Sequence, residues 1–124
     1  MSGVIRVVVA DDEPDLRLLV RLQLGRVDGV EVVGEAADGA EAVDVAVAEA
    51  ADVVVMDLLM PGTSGFDGIA ALLADHPAIG VVAYTAVAGD FVRAEMARLD
   101  VELVLKSGDI APLVAAIERT ASRR

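Results

Sequence analysis

Val53-Val54-Val55-Met56-Asp57-Leu58-Leu59-Met60-Pro61-Gly62 is the stretch on which the reading of this chain turns. An apolar, mostly β-branched run ends in a carboxylate, and a Pro-Gly turn signal follows. A short continuous run of this kind is what a strand buried on both faces looks like. Val4 to Ala10, Val30 to Ala36, Ile79 to Tyr84 and Val101 to Leu105 share its character, which makes five strands. The segments between them read as helices. Pro14 sits where a first helical turn tolerates proline, and Leu16, Leu19, Val20, Leu22 and Leu24 give an apolar stripe that stops near Gly25. Asp38-Gly39 opens a second helix, running to about Ala50. Phe66 to Asp75, Ala88 to Arg98 and Ile110 to Ser122 fit three more, the last with Asp109 as its N-cap. Strict βα alternation predicts an α/β fold in a single domain over residues 1–124: a doubly wound, five-stranded parallel sheet with helices on both faces.

Composition narrows the function classes. The chain has 124 residues, 56% of them hydrophobic but only 2% aromatic, so Val, Ala, Leu and Ile must build the core. Cysteine is absent, which excludes disulfides and thiolate metal sites. A net charge of −11 would repel a phosphate backbone, so direct nucleic-acid binding by this segment is not expected. No apolar run reaches the length of a membrane span, and Met1-Ser2-Gly3-Val4 lacks the basic-then-apolar order of a signal peptide. The expectation is a soluble cytoplasmic protein with no membrane partner.

Ligands of open α/β sheets bind outside the carboxyl ends of the strands. Asp11 and Asp12 follow the first run, Asp57 the third, Thr85 the fourth and Lys106 the fifth. Singly, each has an ordinary role: Asp12 as a helix cap, Asp11 and Asp57 as turn residues, Thr85 as a loop cap. Jointly, three carboxylates raise one another's pKa unless a cation lies among them, and oxygen ligands of this kind suit Mg²⁺. Lys106 is the only lysine, every other basic residue being arginine, which suggests a need for a compact ammonium. His76, next to Pro77, fits a solvated helix C-terminus better than a metal or phosphohistidine role. Tyr84 reads as packing with a polar tip, Met56 and Met60 as filler, and Arg123-Arg124 as too short for a nucleic-acid patch.

Four stretches carry a resemblance: Val7-Val8-Val9-Ala10-Asp11-Asp12-Glu13-Pro14, Val53 to Gly62, Tyr84-Thr85-Ala86 and Leu105-Lys106. In this order and at strand ends they resemble the receiver domains of bacterial two-component response regulators, over essentially the whole length. Val32-Val33-Gly34-Glu35-Ala36, with Asp38-Gly39 after it, looks like the LuxR/NarL-like branch, whose members carry a helix-turn-helix output domain. The resemblance implies the flavodoxin-like strand order 2-1-3-4-5, which the runs alone leave open. It implies Asp57 as phosphoacceptor for a sensor histidine kinase, and Mg²⁺ on Asp12, Asp57, the Leu59 backbone carbonyl and, through water, Asp11. Thr85 would bond one phosphoryl oxygen and Lys106 another. The readout face would be the fourth helix, fifth strand and fifth helix, a possible homodimer contact over residues 88–122. The output would be transcription, through a DNA-binding domain not present in this sequence.

The chain departs from the family pattern in places. Leu103 stands three residues before Lys106, where most relatives have Tyr or Phe, so a rotating aromatic there cannot operate. Leu99-Asp100-Val101-Glu102 replaces a glycine-containing lead-in to strand five, Ser107 replaces the proline after the lysine, and Pro112 comes later than usual. Leu59 and Val87, two residues beyond Asp57 and Thr85, are apolar where many relatives are polar, which would hinder an attacking water. Two rival functions remain open: a small Mg²⁺-dependent aspartyl-phosphate phosphatase or phosphotransferase, and a phosphorylation-independent dimerisation module. Against the former, Leu58 and Leu59 occupy the place of a second acid/base carboxylate. The expectation is a regulatory domain, catalysing only its own phosphorylation and dephosphorylation.

Overall fold

The computed structural model describes residues 3–86 and 88–123. Strands and helices alternate as β1 (Ile5–Ala10), α1 (Pro14–Leu24), β2 (Val30–Ala36), α2 (Gly39–Ala48), β3 (Val53–Met56), α3 (Gly65–Asp75), β4 (Gly80–Thr85), α4 (Asp90–Arg98), β5 (Glu102–Leu105) and α5 (Ala111–Ser122). All strand pairings are parallel, in the order β2-β1-β3-β4-β5. The doubly wound, flavodoxin-like sheet is therefore what forms.

Successive side chains of a strand point to opposite faces, and here each face has its own core. Val8, Ala10, Val54, Met56, Val81 and Ala83 pack with residues of α2, α3 and α4 such as Ala42, Ile69 and Met96. Val7, Val9, Val53, Val55, Val82 and Tyr84 pack with Val20 and Leu24 of α1 and with Leu113, Ala116 and Ile117 of α5. Both faces are covered, which is why the central strands β3 and β4 are continuous, almost wholly buried apolar runs. No helix among the described residues is long and apolar enough to cross a membrane.

Two expectations are corrected. Of the five apolar positions assigned to the α1 stripe, only Val20 and Leu24 are buried; Leu16, Leu19 and Leu22 are 41%, 48% and 53% exposed. Their place toward β2 is taken by Arg17 and Arg21, which hold Glu35 at 3.0 and 2.8 Å. Asp109 is not the N-cap of α5. That position is Ile110, while the Asp109 carboxylate accepts from the Ala111 N–H at 3.0 Å. The remaining boundaries move by a residue or two, as helix and strand ends do.

β2 carries a bulge: Val7 pairs Val32 and Val8 pairs Gly34, leaving Val33 as the extra residue. Gly34 is needed there, because a Cβ would lie 2.5 Å from the Val45 side chain of α2. Bulges of this kind bend an edge strand onto its neighbours. At the other edge, Asp100 takes φ 58° between α4 and β5. Aspartate tolerates the left-handed conformation better than most residues, so the turn closes without a glycine.

Candidate functional site

The sheet ladder runs on past the strand ends and fixes the backbone of the polar residues. Asp11 N–H donates to the Ala36 carbonyl at 3.0 Å, Asp57 N–H to Ala10 at 3.0 Å, and Lys106 N–H to Thr85 at 2.9 Å. Asp11, Asp57 and Thr85 are buried, Asp12 and Lys106 half-buried. The carboxylates of Asp11, Asp12 and Asp57 each offer an oxygen within 4.8 Å of the others. The Lys106 Nζ donates to Asp11 Oδ2 at 2.6 Å and to Asp57 Oδ2 at 3.1 Å. Asp11, Asp12, Asp57 and Lys106 thus meet at one end of the sheet, with Thr85 joined to Lys106 through the backbone. Leu59, expected to offer its carbonyl, lies 68% exposed at the rim, with a backbone hydrogen bond to the Asp57 carboxylate. Val87 lies outside the described residues.

Gly65 shapes the floor. The β3–α3 loop folds back so closely that a Cβ at this position would collide with the Asp57 carbonyl oxygen. The Gly65 N–H donates to the Leu58 carbonyl at 3.0 Å, closing that turn. Only glycine permits so close an approach of two backbones. Asp11 also does local work: its Oδ1 accepts from the Glu13 N–H at 2.9 Å and sets the start of α1. That is the turn role considered for it from sequence, carried by one oxygen while the other faces Lys106.

Burial pushes the Asp57 carboxyl above its ordinary range, and the neighbouring Asp11 charge pushes the same way; Lys106 opposes both without overcoming them. Burial would depress Lys106, but its hydrogen bonds to Asp11 and Asp57, with their charges, outweigh that and hold it above the usual lysine range. An acceptor-only cluster with one ammonium is short of positive charge. Carboxylate oxygens with no sulfur or imidazole among them are the donor set a hard divalent cation such as Mg²⁺ takes. The residues fit that ion.

Arg17 was missed by sequence reasoning. Its guanidinium donates to the Asp11 backbone carbonyl at 2.6 Å and to Glu35 Oε1 at 3.0 Å, pinning the β1–α1 loop to β2. Glu35 is held below its ordinary range: burial works against this, but Arg21 and Arg17 prevail. The signal was present as arginines at i and i+4 (Arg17, Arg21) inside an otherwise leucine-rich helix. Tyr84 also stands closer to the site than packing alone requires, with the Lys106 Nζ 5.9 Å from its ring centroid.

Comparison with known proteins bears on this geometry. Residues 7–118 match the family model of the response regulator receiver domain. The response regulator GacA of Pseudomonas viridiflava is 43% identical over 81 residues, which is 65% of this chain and 38% of that one. The chain thus spans about two-fifths of the length of this curated relative. The signal receiver domain of the response regulator NarL from Mycobacterium tuberculosis superposes with TM-score 0.90 at 31% identity, covering 98% of this chain and 99% of that one. A LuxR-family two-component response regulator from Aurantimonas sp. SI85-9A1 gives TM-score 0.89 at 32% identity over 98% of this chain and 88% of its own. On the match of residues 7–118 and the NarL/LuxR-family neighbours, this chain belongs to the receiver domains of two-component response regulators.

Proposed function

We propose that the chain is a phosphorylation-dependent signalling switch whose phosphoacceptor is Asp57. The observation that carries this is the placement of Asp57 Oδ2 3.1 Å from the only lysine, with Asp11 and Asp12 beside it at the carboxyl end of the sheet. Phosphoryl transfer asks a protein for positioning and for positive charge around the equatorial oxygens, with little covalent help. An Asp57 oxygen forms the new bond to phosphorus as the phosphorus–nitrogen bond of a phosphohistidine donor on a sensor kinase breaks. The freed imidazole nitrogen is left to take up a proton. Lys106 stands ready to pair one phosphoryl oxygen and Thr85 another. Asp11, Asp12, Asp57 and the Leu59 carbonyl would hold Mg²⁺, which supplies charge neutralisation when bound.

The added phosphoryl group brings about −1.5 to −2 charge and new acceptor oxygens. Thr85, buried at the end of β4, is drawn to them and moves the loop leading to α4. The readout face is then residues 88–122, which includes α4, β5 and α5 and is a surface for a second copy. In a longer regulator, of which residues 1–124 are the receiver, the output is a DNA-binding domain and the response is transcription. The chain then meets DNA only through that domain. Its only chemistry is on its own aspartate, gained from the kinase and lost to water.

Intact mass after incubation with acetyl phosphate and Mg²⁺ tests the reading. The parent gains one phosphoryl group, dependent on Mg²⁺, and Asp57→Asn gains none. A folded parent that gains nothing points instead to the phosphorylation-independent module. Leu59 is apolar, exposed and two residues beyond Asp57; if its side chain hinders the attacking water, Leu59→Asn shortens the adduct's half-life about two- to fivefold. An unchanged half-life would remove Leu59 from the account.

A further inference from the structure

Tyr84 and Lys106 are the only tyrosine and the only lysine of the chain, and they meet. β4 carries Tyr84 toward the α1/α5 face, where it is 6% exposed and shares a core cluster with Leu113, Ala116 and Ile117 of α5. Its backbone is fixed by the pairing of Tyr84 with Val104 in β5. Thr85 follows Tyr84 directly, and Lys106 comes just past the end of β5, its N–H donating to the Thr85 carbonyl at 2.9 Å. The Lys106 ammonium lies over the Tyr84 ring, 5.9 Å from its centroid, while its protons reach Asp11 and Asp57. Leu103 packs against the opposite core, under α4, and offers no aromatic there.

We infer that Tyr84 is a positioning residue for phosphoryl transfer, its ring forming the wall that holds the Lys106 ammonium in place and ties it to the α5 face. The inference rests on Asp57 being the phosphoacceptor. A lysine ammonium is a point charge on a flexible stem, and two carboxylates alone let it swing between them. An aromatic face attracts the ammonium and removes one side of that freedom. The ring itself cannot yield, because it is buried against α5. When Asp57 carries a phosphoryl group, the ammonium is drawn to a new oxygen and its position over the ring changes. Tyr84 registers that change directly on the α5 side of the sheet. The chain has no tryptophan to mask its emission.

The two unique residues make the test clean. Lysine-selective isotope labelling gives one set of side-chain resonances in the full chain, read without any phosphoryl donor. In the parent these are shifted upfield by the Tyr84 ring. The shift is absent from Tyr84→Leu and present in Tyr84→Phe, which keeps the ring. Phosphorylation by acetyl phosphate with Mg²⁺, followed by intact mass, is roughly five- to tenfold slower in Tyr84→Leu and restored in Tyr84→Phe. Tyrosine emission of the parent changes as the adduct forms. A parent that takes up phosphate but shows no ring shift, or a folded Tyr84→Leu that reacts at the parental rate, overturns the role of Tyr84 and leaves Asp57 as phosphoacceptor. A parent that takes up none overturns both.

Discussion

The sheet carries acid–base contacts of nearly the same length in two very different settings. At the carboxyl ends of β1, β3 and β5, Lys106 meets Asp11 at 2.6 Å with side chains only 16% and 5% exposed. Along the outer edge of β5, Arg119 meets Glu102 at 2.7 Å with side chains 58% and 21% exposed, and Arg123 meets Asp100 at 2.6 Å with 46% and 87%. Distance alone would rank these pairs together. Their surroundings separate them, because water screens the edge pairs and hydrates either partner when the other is removed. The buried cluster has little such relief: three carboxylates lie together, Asp11 and Asp57 share one ammonium, and the group depends on charge brought from inside the protein or from a bound cation. The edge contacts are a solvated strap, and the cluster is a poised site.

Removing the cation at each place is the harshest test of this contrast. Lys106→Met leaves Asp11 and Asp57 facing one another uncompensated and costs about 2–3 kcal/mol without added divalent cation. The penalty stays below that of a fully enclosed pair because the Asp57 side chain keeps 12% of its surface exposed. Arg119→Met leaves Glu102 to water and gives no measurable change. Urea unfolding at neutral pH reads both, and equal losses would break the comparison.

Supplying a cation is the converse. Mg²⁺ at tenfold its dissociation constant stabilises the parent by about 1.4 kcal/mol, seen as a rise in the thermal midpoint. Asp12→Ala, which takes one carboxylate from the cluster, loses most of that rise, whereas Glu102→Gln keeps it. A rise of similar size in all three proteins would mean that Mg²⁺ acts by screening the net charge of −11 and not at the cluster.

The two settings differ also in how much of them could be read from the amino acids. The run Val53 to Met56 coincides with β3, because a strand covered on both faces admits almost nothing polar; Val30 to Ala36 coincides with β2, whose β-branched character shows through Glu31 and Glu35 at the sheet edge. The same rule made Asp11, Asp57, Thr85 and Lys106 conspicuous as the polar residues that end apolar runs, and the structure brings them together. The edge network was not legible. Which surface arginine reaches which carboxylate depends on the angle of α5 against β5, and residues 17 positions apart carry no local signal. The α1 stripe misled for a related reason. An apolar stripe need not be the buried face: the direction of the helix is set by Val20, Leu24 and the pairing of Arg17 and Arg21 with Glu35.

A pH series gives the two regions opposite signs. The folded Asp57 carboxyl titrates above its unfolded value of 3.8, so the native state holds more protons there. Its contribution is fully present below that value and is lost as pH rises through the folded pKa. Glu102 is held below 4.5, first by its hydrogen bond from Arg119, so its contribution is present above that value and is lost as pH falls. Unfolding midpoints of the parent minus those of Asp57→Asn, without divalent cation, therefore decline on going up from acid. Parent minus Glu102→Gln declines on going down. Matching signs would mean that the cluster does not strain the folded state.

The smallest effect separates backbone from charge within the edge network itself. Asp100 has φ 58°, and its carboxylate is 87% exposed although Arg123 reaches it at 2.6 Å. Screening leaves such a pair worth a few tenths of a kcal/mol at most, whereas a left-handed non-glycine residue costs about 1 kcal/mol relative to glycine. Asp100→Gly loses the pair but relieves the backbone, and is more stable than the parent by about 0.5 kcal/mol. Asp100→Asn loses the charge and keeps a side chain that tolerates the same φ, so it stays within about 0.3 kcal/mol of the parent. Chemical denaturation of the three proteins at low and high salt reads the difference. Should Asp100→Gly be the less stable protein, and the more so at low salt, the strap contributes real binding energy. The edge of β5 would then resemble the buried cluster more than its exposure implies.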